Sequence, residues 1–201
     1  MHALARRQPA STDAKLQAVT STDSAEWPSK LSSIAPPPAI FFSGLGTTRA
    51  AAGGVENQRK IDYDLNLALA QAAKKAGVKV YVLISSGGAS AASNMAYHKM
   101  KGELEESVKA LGFEQTVILR PGLIVGSREE SRPVEAVARK IAGFAGMLGN
   151  AFKDSWAQDA DIIAKAAVAS GLQALEGKAP EKVWTVGQSD IVRLGRTEWK
   201  A

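Results

Sequence analysis

The chain has 201 residues, 45% hydrophobic and 22% charged, which suffices for one globular domain with a buried core and is too short for two full domains. It contains no cysteine and only two histidines, His2 and His98, so disulfides, thiol nucleophiles and cysteine-based metal sites are excluded and no metal site is expected. The net charge of +5 comes from 25 basic and 20 acidic residues that are interspersed without a basic run, so nucleic acid is not an expected partner.

Residues 8–38 are polar and rich in turn-forming residues, and they predict short strands and loops. Residues 39–42 form a compact apolar run that Ser43-Gly44-Leu45-Gly46 ends, which predicts a buried parallel strand followed by a loop. No stretch reaches the about 18 apolar residues that a membrane-spanning helix needs, and a secretory signal is not supported. We therefore expect a soluble or membrane-peripheral protein.

Helical and strand patterns alternate through the middle of the chain. They predict a helix over 61–76, a strand over 78–84, a helix over 95–111 and a strand over 116–119. The first of these helices has one apolar face, formed by Ile61, Leu65, Leu69 and Ala72. The βαβαβ order predicts an α/β domain, a doubly wound parallel sheet with right-handed crossovers.

Beyond Gly126 the pattern is looser. It predicts a charged loop over 128–133, helices over 134–144 and 159–175, and a last strand over 183–186. Nothing marks a second domain boundary. We therefore expect a single domain over residues 1–201, in which residues 123–182 are an elaboration over the strand ends, on the substrate side.

The candidate chemistry lies at the start of the helix over 95–111. Tyr97 and Lys101 are four residues apart, about one helical turn. We expect the Lys101 ammonium beside the Tyr97 phenol, where it lowers the phenol pKa from its usual value of about 10. Ser85 and Ser86, at the preceding strand end, would hold a substrate oxygen, and the three groups suit proton transfer to a carbonyl while a cofactor delivers hydride. By itself, a Tyr/Lys pair is also typical of an aromatic that packs beside a solvated lysine.

Longer strings in the same order are more specific than this pair. They are residues 47–54, 60–67, 85–89, 97–103, 119–122 and 130–133. With these strings the chain resembles an atypical short-chain dehydrogenase/reductase, most closely a fungal mitochondrial outer-membrane protein family related to the human Tat-interacting oxidoreductase-like tumour suppressor. The resemblance spans most of the chain. It implies an NAD(P)-binding Rossmann-like fold, NADP(H)-dependent oxidation or reduction of a small-molecule carbonyl or hydroxyl substrate, and peripheral attachment to the mitochondrial outer membrane.

The resemblance also implies roles for the residues of the candidate chemistry. Tyr97 would be the catalytic acid, and Lys101 would be its partner and the ligand of the nicotinamide ribose. The substrate-orienting serine would be Ser85 or Ser86. The serine of the broader superfamily can also be aligned with Gly87, which would leave the catalytic triad incomplete.

Contacts with the cofactor follow from the same resemblance. Arg6 and Arg7 would meet the 2′-phosphate of NADP, which favours NADP(H) over NAD(H). The cofactor ribose and adenine would lie on the loop that contains Gly44 and Leu45. The nicotinamide carboxamide would meet the backbone of the pair that ends a strand, Pro121 and Gly122.

The beginning of the chain departs from the family pattern. Family members open with a strand, a glycine-rich loop and a helix that holds the pyrophosphate, whereas this sequence begins at what resembles the second strand. No helix is predicted directly after residues 43–47, so that loop is not expected to replace the pyrophosphate site. We therefore expect a sheet without the first strand, and weak or absent dinucleotide binding. An incomplete gene model, a shortened isoform and a shift of residues 1–7 into the central strand position are all consistent with this pattern.

Two other classes of function remain open at this point. One is a non-catalytic nucleotide-sensing or scaffold protein at a membrane surface. The other is a basic nucleic-acid binder, which the absence of basic patches with interleaved aromatic residues disfavours.

Overall fold

The computed structural model describes residues 1–11, 13–125 and 157–200. The predicted loop over 128–133 and the predicted helix over 134–144 lie outside the described residues. Much of the expected elaboration over 123–182 lies outside them as well.

Parallel strands form the centre of the fold. They are β1 (His2–Ala5), β2 (Gln17–Thr20), β3 (Ile40–Ser43), β4 (Val80–Ile84), β5 (Gln115–Leu119), β6 (Leu123–Val125), β7 (Ala157–Asp159) and β8 (Val183–Val186). A four-stranded sheet has the order β3-β4-β5-β8, and all of its pairings are parallel. β1 pairs with β2, and β6 with β7, in two separate parallel pairs. The possible shift of residues 1–7 into the four-stranded sheet is therefore not what the structure shows.

Helices connect these strands. They are α1 (Trp27–Ser32), α2 (Arg49–Ala52), α3 (Val55–Arg59), α4 (Asn66–Ala76), α5 (Ala96–Ala110), α6 (Ala160–Leu175) and α7 (Gln188–Val192). Two π-helical segments, Lys60–Leu65 and Arg193–Thr197, adjoin α4 and α7. The predicted order of strands and helices through residues 39–119 is confirmed, as are the helix that ends at residue 175 and the last strand.

The four-stranded sheet separates two apolar clusters. On one face, Tyr81 and Leu83 of β4 pack with residues of α4 and α5, including Leu69 and Leu104. On the other face, Val80 and Val82 pack against α6. Successive strand residues point to opposite faces, so a sheet covered on both sides needs a nearly continuous apolar strand such as β4.

The first 38 residues contain a helix that the sequence analysis missed. A 3-10 turn, Ser24–Glu26, leads into α1, and the Asp23 side chain caps the turn by accepting a hydrogen bond from the Ala25 amide. Pro28 lies in the first turn of α1. An acidic cap followed by a proline is a helix-start signal, so the prediction of strands and loops alone was wrong here.

The helix predicted over 61–76 differs in both its start and its face. Helical structure already begins at α2 and α3, so the prediction that no helix directly follows residues 43–47 was wrong. The buried face carries Asp62 and Asn66 together with Leu69, whereas Ile61 and Leu65 are only half-buried. The wider π-helical turn over Lys60–Leu65 changes the residue spacing, which rotates the face away from a regular helical pattern.

Strand β3 is less buried than its apolar sequence predicts. Phe42 is 44% exposed, while the residues of β4 up to Leu83 are all buried. β3 is an edge strand of the four-stranded sheet, and α6 reaches the Phe42 ring only near Gly171. An apolar run does not distinguish a central strand from an edge strand.

Candidate active site

A cavity of about 980 Å³ opens at the carboxyl ends of β1, β3, β4 and β5. Parallel strands place the loops that follow them at one edge of a sheet, which is where ligands bind in open α/β folds. Every candidate site residue from the sequence lines this cavity. They are Arg6, Arg7, Gly44, Leu45, Ser85, Ser86, Tyr97, Lys101, Pro121 and Gly122.

The loop after β3 is held by buried polar side chains. The Asp62 carboxylate accepts a hydrogen bond from the Thr47 amide at 2.6 Å, and the Gln58 amide donates to the Thr47 carbonyl at 3.2 Å. Asn66 donates to the Leu45 carbonyl at 3.2 Å. The sequence analysis did not identify this clamp. The signal was available, since Asp62 and Asn66 are polar residues four apart and so share one helical face.

Lys101 is almost completely buried beneath the cavity, at 4% exposure. Its ammonium donates a hydrogen bond to the Ile84 carbonyl at 3.1 Å, at the end of β4. Burial lowers the Lys101 pKa, and the carboxylates of Asp62 and Glu105 oppose that change. Two acidic groups on different helical segments therefore support one buried cation.

Tyr97 stands at the cavity wall, on the first turn of α5. Partial burial raises the pKa of its phenol, the Asp62 carboxylate raises it further, and the Ser86 side chain opposes the rise. The expectation that Lys101 lowers this pKa is wrong. The Lys101 ammonium is directed to the Ile84 carbonyl, so burial and Asp62 dominate at the phenol.

The two candidate serines have different surroundings. Ser85 is buried, and its hydroxyl donates to the Glu105 carboxylate at 2.5 Å. Glu105 is only 1% exposed and also accepts two hydrogen bonds from Arg120, at 3.1 and 2.5 Å. Ser86 is half-buried, lines the cavity and interacts with the Tyr97 phenol. Ser85 thus belongs to a polar tie between α5 and the ends of β4 and β5.

Gly87 is the third position with which the superfamily serine can be aligned, and it is sterically crowded. The Gly87 amide donates to the Pro121 carbonyl at 2.7 Å. A β-carbon at Gly87 would lie 3.2 Å from both the Gln188 side-chain nitrogen and the Pro121 carbonyl oxygen. The loops after β4 and β5 therefore meet closely here, and a side chain at Gly87 would require these neighbours to shift by a few tenths of an ångström.

Two glutamines that the sequence analysis did not identify support the loop after β5. The side-chain oxygen of the buried Gln158 accepts a hydrogen bond from the Gly122 amide at 2.6 Å. The side-chain nitrogen of Gln158 donates to the side-chain oxygen of Gln188 at 3.2 Å, and Gln188 lines the cavity. The Gly122 amide, one of the backbone groups expected to meet a carboxamide, is thus already bonded. No sequence pattern indicated either glutamine.

Residues 1–11, 13–125 and 157–200 show neither a candidate metal cluster nor a candidate membrane-spanning helix. No group of three or more His, Cys, Asp or Glu residues in these ranges could hold a metal ion. Within the same ranges, no helix is long and apolar enough to cross a bilayer.

The pattern of the chain matches a known family over its central half. Residues 38–148 fit the profile of the HIM1 family. The chain belongs to the HIM1 family. This HIM1-family chain is 60% identical over 199 residues to "Protein fmp52-1, mitochondrial" of Aspergillus terreus, a match that covers 96% of this chain and 86% of that protein. The predicted resemblance to fungal mitochondrial proteins is therefore confirmed.

Solved structures share the fold of this HIM1-family chain at low sequence identity. WbmG of Bordetella bronchiseptica, in complex with NAD, matches with a TM-score of 0.59 and 14% identity, over 92% of this chain and 63% of WbmG. The chain thus spans less than two thirds of WbmG. MoeE5, in complex with UDP-glucose and NAD, matches with a TM-score of 0.64 and 13% identity, over 98% of this chain and 72% of MoeE5. These likenesses confirm the predicted Rossmann-like α/β fold.

Proposed function

We propose that this protein is an NADP(H)-dependent oxidoreductase of the short-chain dehydrogenase/reductase type that acts on a carbonyl or hydroxyl substrate. One observation carries the proposal: Tyr97, Lys101 and Ser86 line the same cavity as Arg6 and Arg7, at the carboxyl ends of parallel strands. That edge is where dinucleotides bind in this type of fold. The MoeE5 and WbmG structures, which share the fold, contain NAD.

The residues present fit a nicotinamide dinucleotide at three places. Arg6 and Arg7 offer guanidinium groups that suit a 2′-phosphate. The clamped loop over 44–47 offers backbone groups that suit a ribose, and Lys101 lies below the Tyr97 wall where a nicotinamide ribose is expected. When bound, the dinucleotide supplies the hydride.

The protein's own groups would move the proton. In the proposed reduction, the Tyr97 phenol donates its proton to the substrate oxygen, which the Ser86 hydroxyl orients. Because the Tyr97 pKa is raised, the phenol keeps its proton throughout the neutral range and is suited to act as an acid. Alcohol oxidation needs the phenolate, so it is expected to require alkaline pH. Ser85 is hydrogen-bonded to Glu105 and would help to hold Tyr97 and Ser86 in position.

Thermal unfolding of the whole chain with and without NADPH tests cofactor binding, with NADH as the comparison. Ligand at a hundredfold excess over its Kd adds about 2.7 kcal/mol to the free energy of unfolding, which is a shift of several degrees. The proposal expects a shift with NADPH and a smaller one with NADH, whereas the departure of the first residues from the family pattern predicts weak or absent binding of either nucleotide. An unfolding transition that neither nucleotide moves would contradict the proposal.

Turnover is tested separately with a panel of carbonyl compounds and NADPH. Tyr97→Phe is expected to abolish NADPH oxidation while leaving the NADPH-induced thermal shift in place, because only the proton donor is lost. Lys99→Met, at an exposed position of the same helix, serves as the control. Equal rates for Tyr97→Phe and the unmodified chain would remove Tyr97 from the mechanism.

A second candidate function is a non-catalytic nucleotide sensor or scaffold. The observation that favours it is the direction of the Lys101 ammonium, which donates to the Ile84 carbonyl rather than to the Tyr97 phenol that it would have to assist. In that case NADPH binds, no carbonyl compound in the panel is reduced, and Tyr97→Phe changes neither result.

We also place the protein at the mitochondrial outer membrane, as a peripheral protein. The support is the fungal relative that is named mitochondrial, and the relation to the human tumour suppressor is part of the same proposal. Alkaline extraction of purified fungal mitochondria should release the protein, and external protease should degrade it without rupture of the outer membrane. Protection from external protease would contradict this placement.

A further inference from the structure

Two hydrogen bonds, one between Gly122 and Gln158 and one between Gln158 and Gln188, fix the orientation of both glutamine side-chain amides. A backbone N–H can only donate, so the atom of Gln158 at 2.6 Å from the Gly122 amide must be the side-chain oxygen. The nitrogen of Gln158 must then point the other way, where it lies 3.2 Å from Gln188. The Gln188 atom at that contact must accept, so it is the oxygen. The Gln188 nitrogen is therefore turned away from Gln158.

That nitrogen is next to the loop after β4. It would lie 3.2 Å from a β-carbon at Gly87, so the absence of a side chain at Gly87 leaves space for it. No hydrogen bond from this nitrogen is found within the described part of the chain. Gln188 is half-buried and lines the cavity together with Ser86, Pro121 and Gly122. The amide is thus a hydrogen-bond donor of fixed direction at the cavity wall.

We infer that the Gln188 side-chain nitrogen binds the carboxamide oxygen of the nicotinamide ring, with Gln158 as the positioning residue that aims it. The inference rests on the proposed function. The loop after β5 is the expected place for the carboxamide, and its Gly122 amide is already bonded to Gln158. Gln158 accepts the hydrogen bond of that backbone amide and donates in turn to Gln188. The donor that remains at the cavity wall is therefore the Gln188 side-chain nitrogen. An amide donor and a carbonyl oxygen are matched hydrogen-bonding groups.

The experiment compares two ligands that differ in the nicotinamide. Calorimetry measures the Kd of NADPH and of 2′,5′-ADP, which carries the 2′-phosphate and adenine without the nicotinamide. The variants are Gln188→Leu, Gln158→Leu, the double variant, and Gln71→Leu on the exposed surface of α4 as the matched control. Circular dichroism establishes that each variant is folded.

Gln188→Leu is expected to weaken NADPH binding about 3- to 10-fold, the effect of one lost hydrogen bond, and to leave 2′,5′-ADP binding unchanged. Gln158→Leu should weaken NADPH binding less. The double variant should bind NADPH no more weakly than Gln188→Leu, because both changes act on one donor. Gln71→Leu should bind both ligands normally.

Three results overturn the inference, and they are distinguishable. If Gln188→Leu binds NADPH within twofold of the unmodified chain, Gln188 does not hold the carboxamide, and the proposed function stands. If it weakens both ligands equally, the change acts on the cavity as a whole. If the unmodified chain binds no NADPH, both the inference and the proposed function fail.

Discussion

Two regions line the same cavity, and they differ in how much of their structure is packed in the apolar core. The four-stranded sheet has apolar packing on both faces, and four of the five residues of β4 are buried. The β1–β2 pair, which presents Arg6 and Arg7, contains no fully buried residue. Isolated two-stranded units are marginal in water. The proposed catalytic wall is therefore held by the core, whereas the proposed phosphate-binding arginines depend on a weakly anchored pair of strands.

The largest expected difference between the regions is in packing. Leu104 on α5 is completely buried, while Leu4 in β1 only packs against the edge of the same cluster. Leu104→Ala should lower the free energy of unfolding by about 2–5 kcal/mol, and Leu4→Ala should cost less. Urea unfolding of both variants measures the difference. Equal losses would show that β1 is as firmly packed as the four-stranded sheet.

The next effect concerns the polar tie behind the catalytic wall. Glu105→Leu leaves the Ser85 hydroxyl and the Arg120 guanidinium without their shared acceptor. The expected loss is about 1–3 kcal/mol, the cost of leaving buried polar groups unsatisfied. Glu106→Leu, at the exposed neighbouring position, is the control and should change unfolding by no more than about 0.5 kcal/mol. A neutral Glu105→Leu would mean that the tie does not stabilise the wall.

Asp62 holds the loop after β3, and its effect on stability should depend on pH. Burial raises the Asp62 pKa, although the Thr47 amide, Lys101 and Gln58 each oppose the rise. The folded state therefore binds this proton more tightly than the unfolded chain does. The contribution of Asp62 to stability is present below the unfolded pKa of about 3.9 and is lost as pH rises through the folded pKa.

Asp62→Asn tests the direction of this pH dependence of stability, since an amide oxygen can still accept the Thr47 hydrogen bond. Relative to the unmodified chain, the variant should gain stability between pH 4 and pH 7, as measured by urea unfolding at several pH values. A difference that is constant with pH would show that the Asp62 pKa is the same in both states. Asp64→Asn, on the same helical segment, provides the comparison.

The smallest effect on stability is expected at the arginines. Arg6 and Arg7 are exposed, so replacing both with Ala should change unfolding by about 0.5 kcal/mol or less. The same change should weaken NADPH binding by about 10-fold or more and leave NADH binding unaltered, because only NADPH carries the 2′-phosphate and hydrogen bonds to a charged group are stronger than neutral ones. Equal loss of both nucleotides would remove these arginines from the recognition of that phosphate.

Much of the fold could be predicted because its signals are local. The apolar run at β4, the helical repeat of α5, and Gly77 and Gly112, which both adopt positive φ after helices, each reveal themselves within a few residues. The face of the helical segment around Asp62 was not predictable in this way. The π-helical turn changes the residue spacing of that face, and the Asp62 carboxylate accepts a hydrogen bond from the Thr47 amide, 15 positions away.

The candidate site likewise contains residues that the sequence predicted and contacts that it did not predict. The sequence analysis placed Tyr97, Lys101, Ser85 and Ser86 near one another, and all four line the cavity. It gave the wrong sign for the Tyr97 pKa change, because burial and Asp62, which lies on a different helical segment, raise that pKa. It did not distinguish the two serines either, because the partner of Ser85 is Glu105, 20 residues further along.

By itself, the sequence determined the α/β class, the alternation of the main strands and helices from residue 39 to residue 119, and the residues that follow each of those strands. These features follow from the periodicity of apolar residues and from the turn-forming residues that end strands, and both are visible within single segments. Only the tertiary structure decided which strands pair, which serine is bonded to Glu105, and that Gln188 reaches the cavity wall beside Gly87. Burial and hydrogen-bond partners are set by contacts between distant segments, and no single segment carries that information.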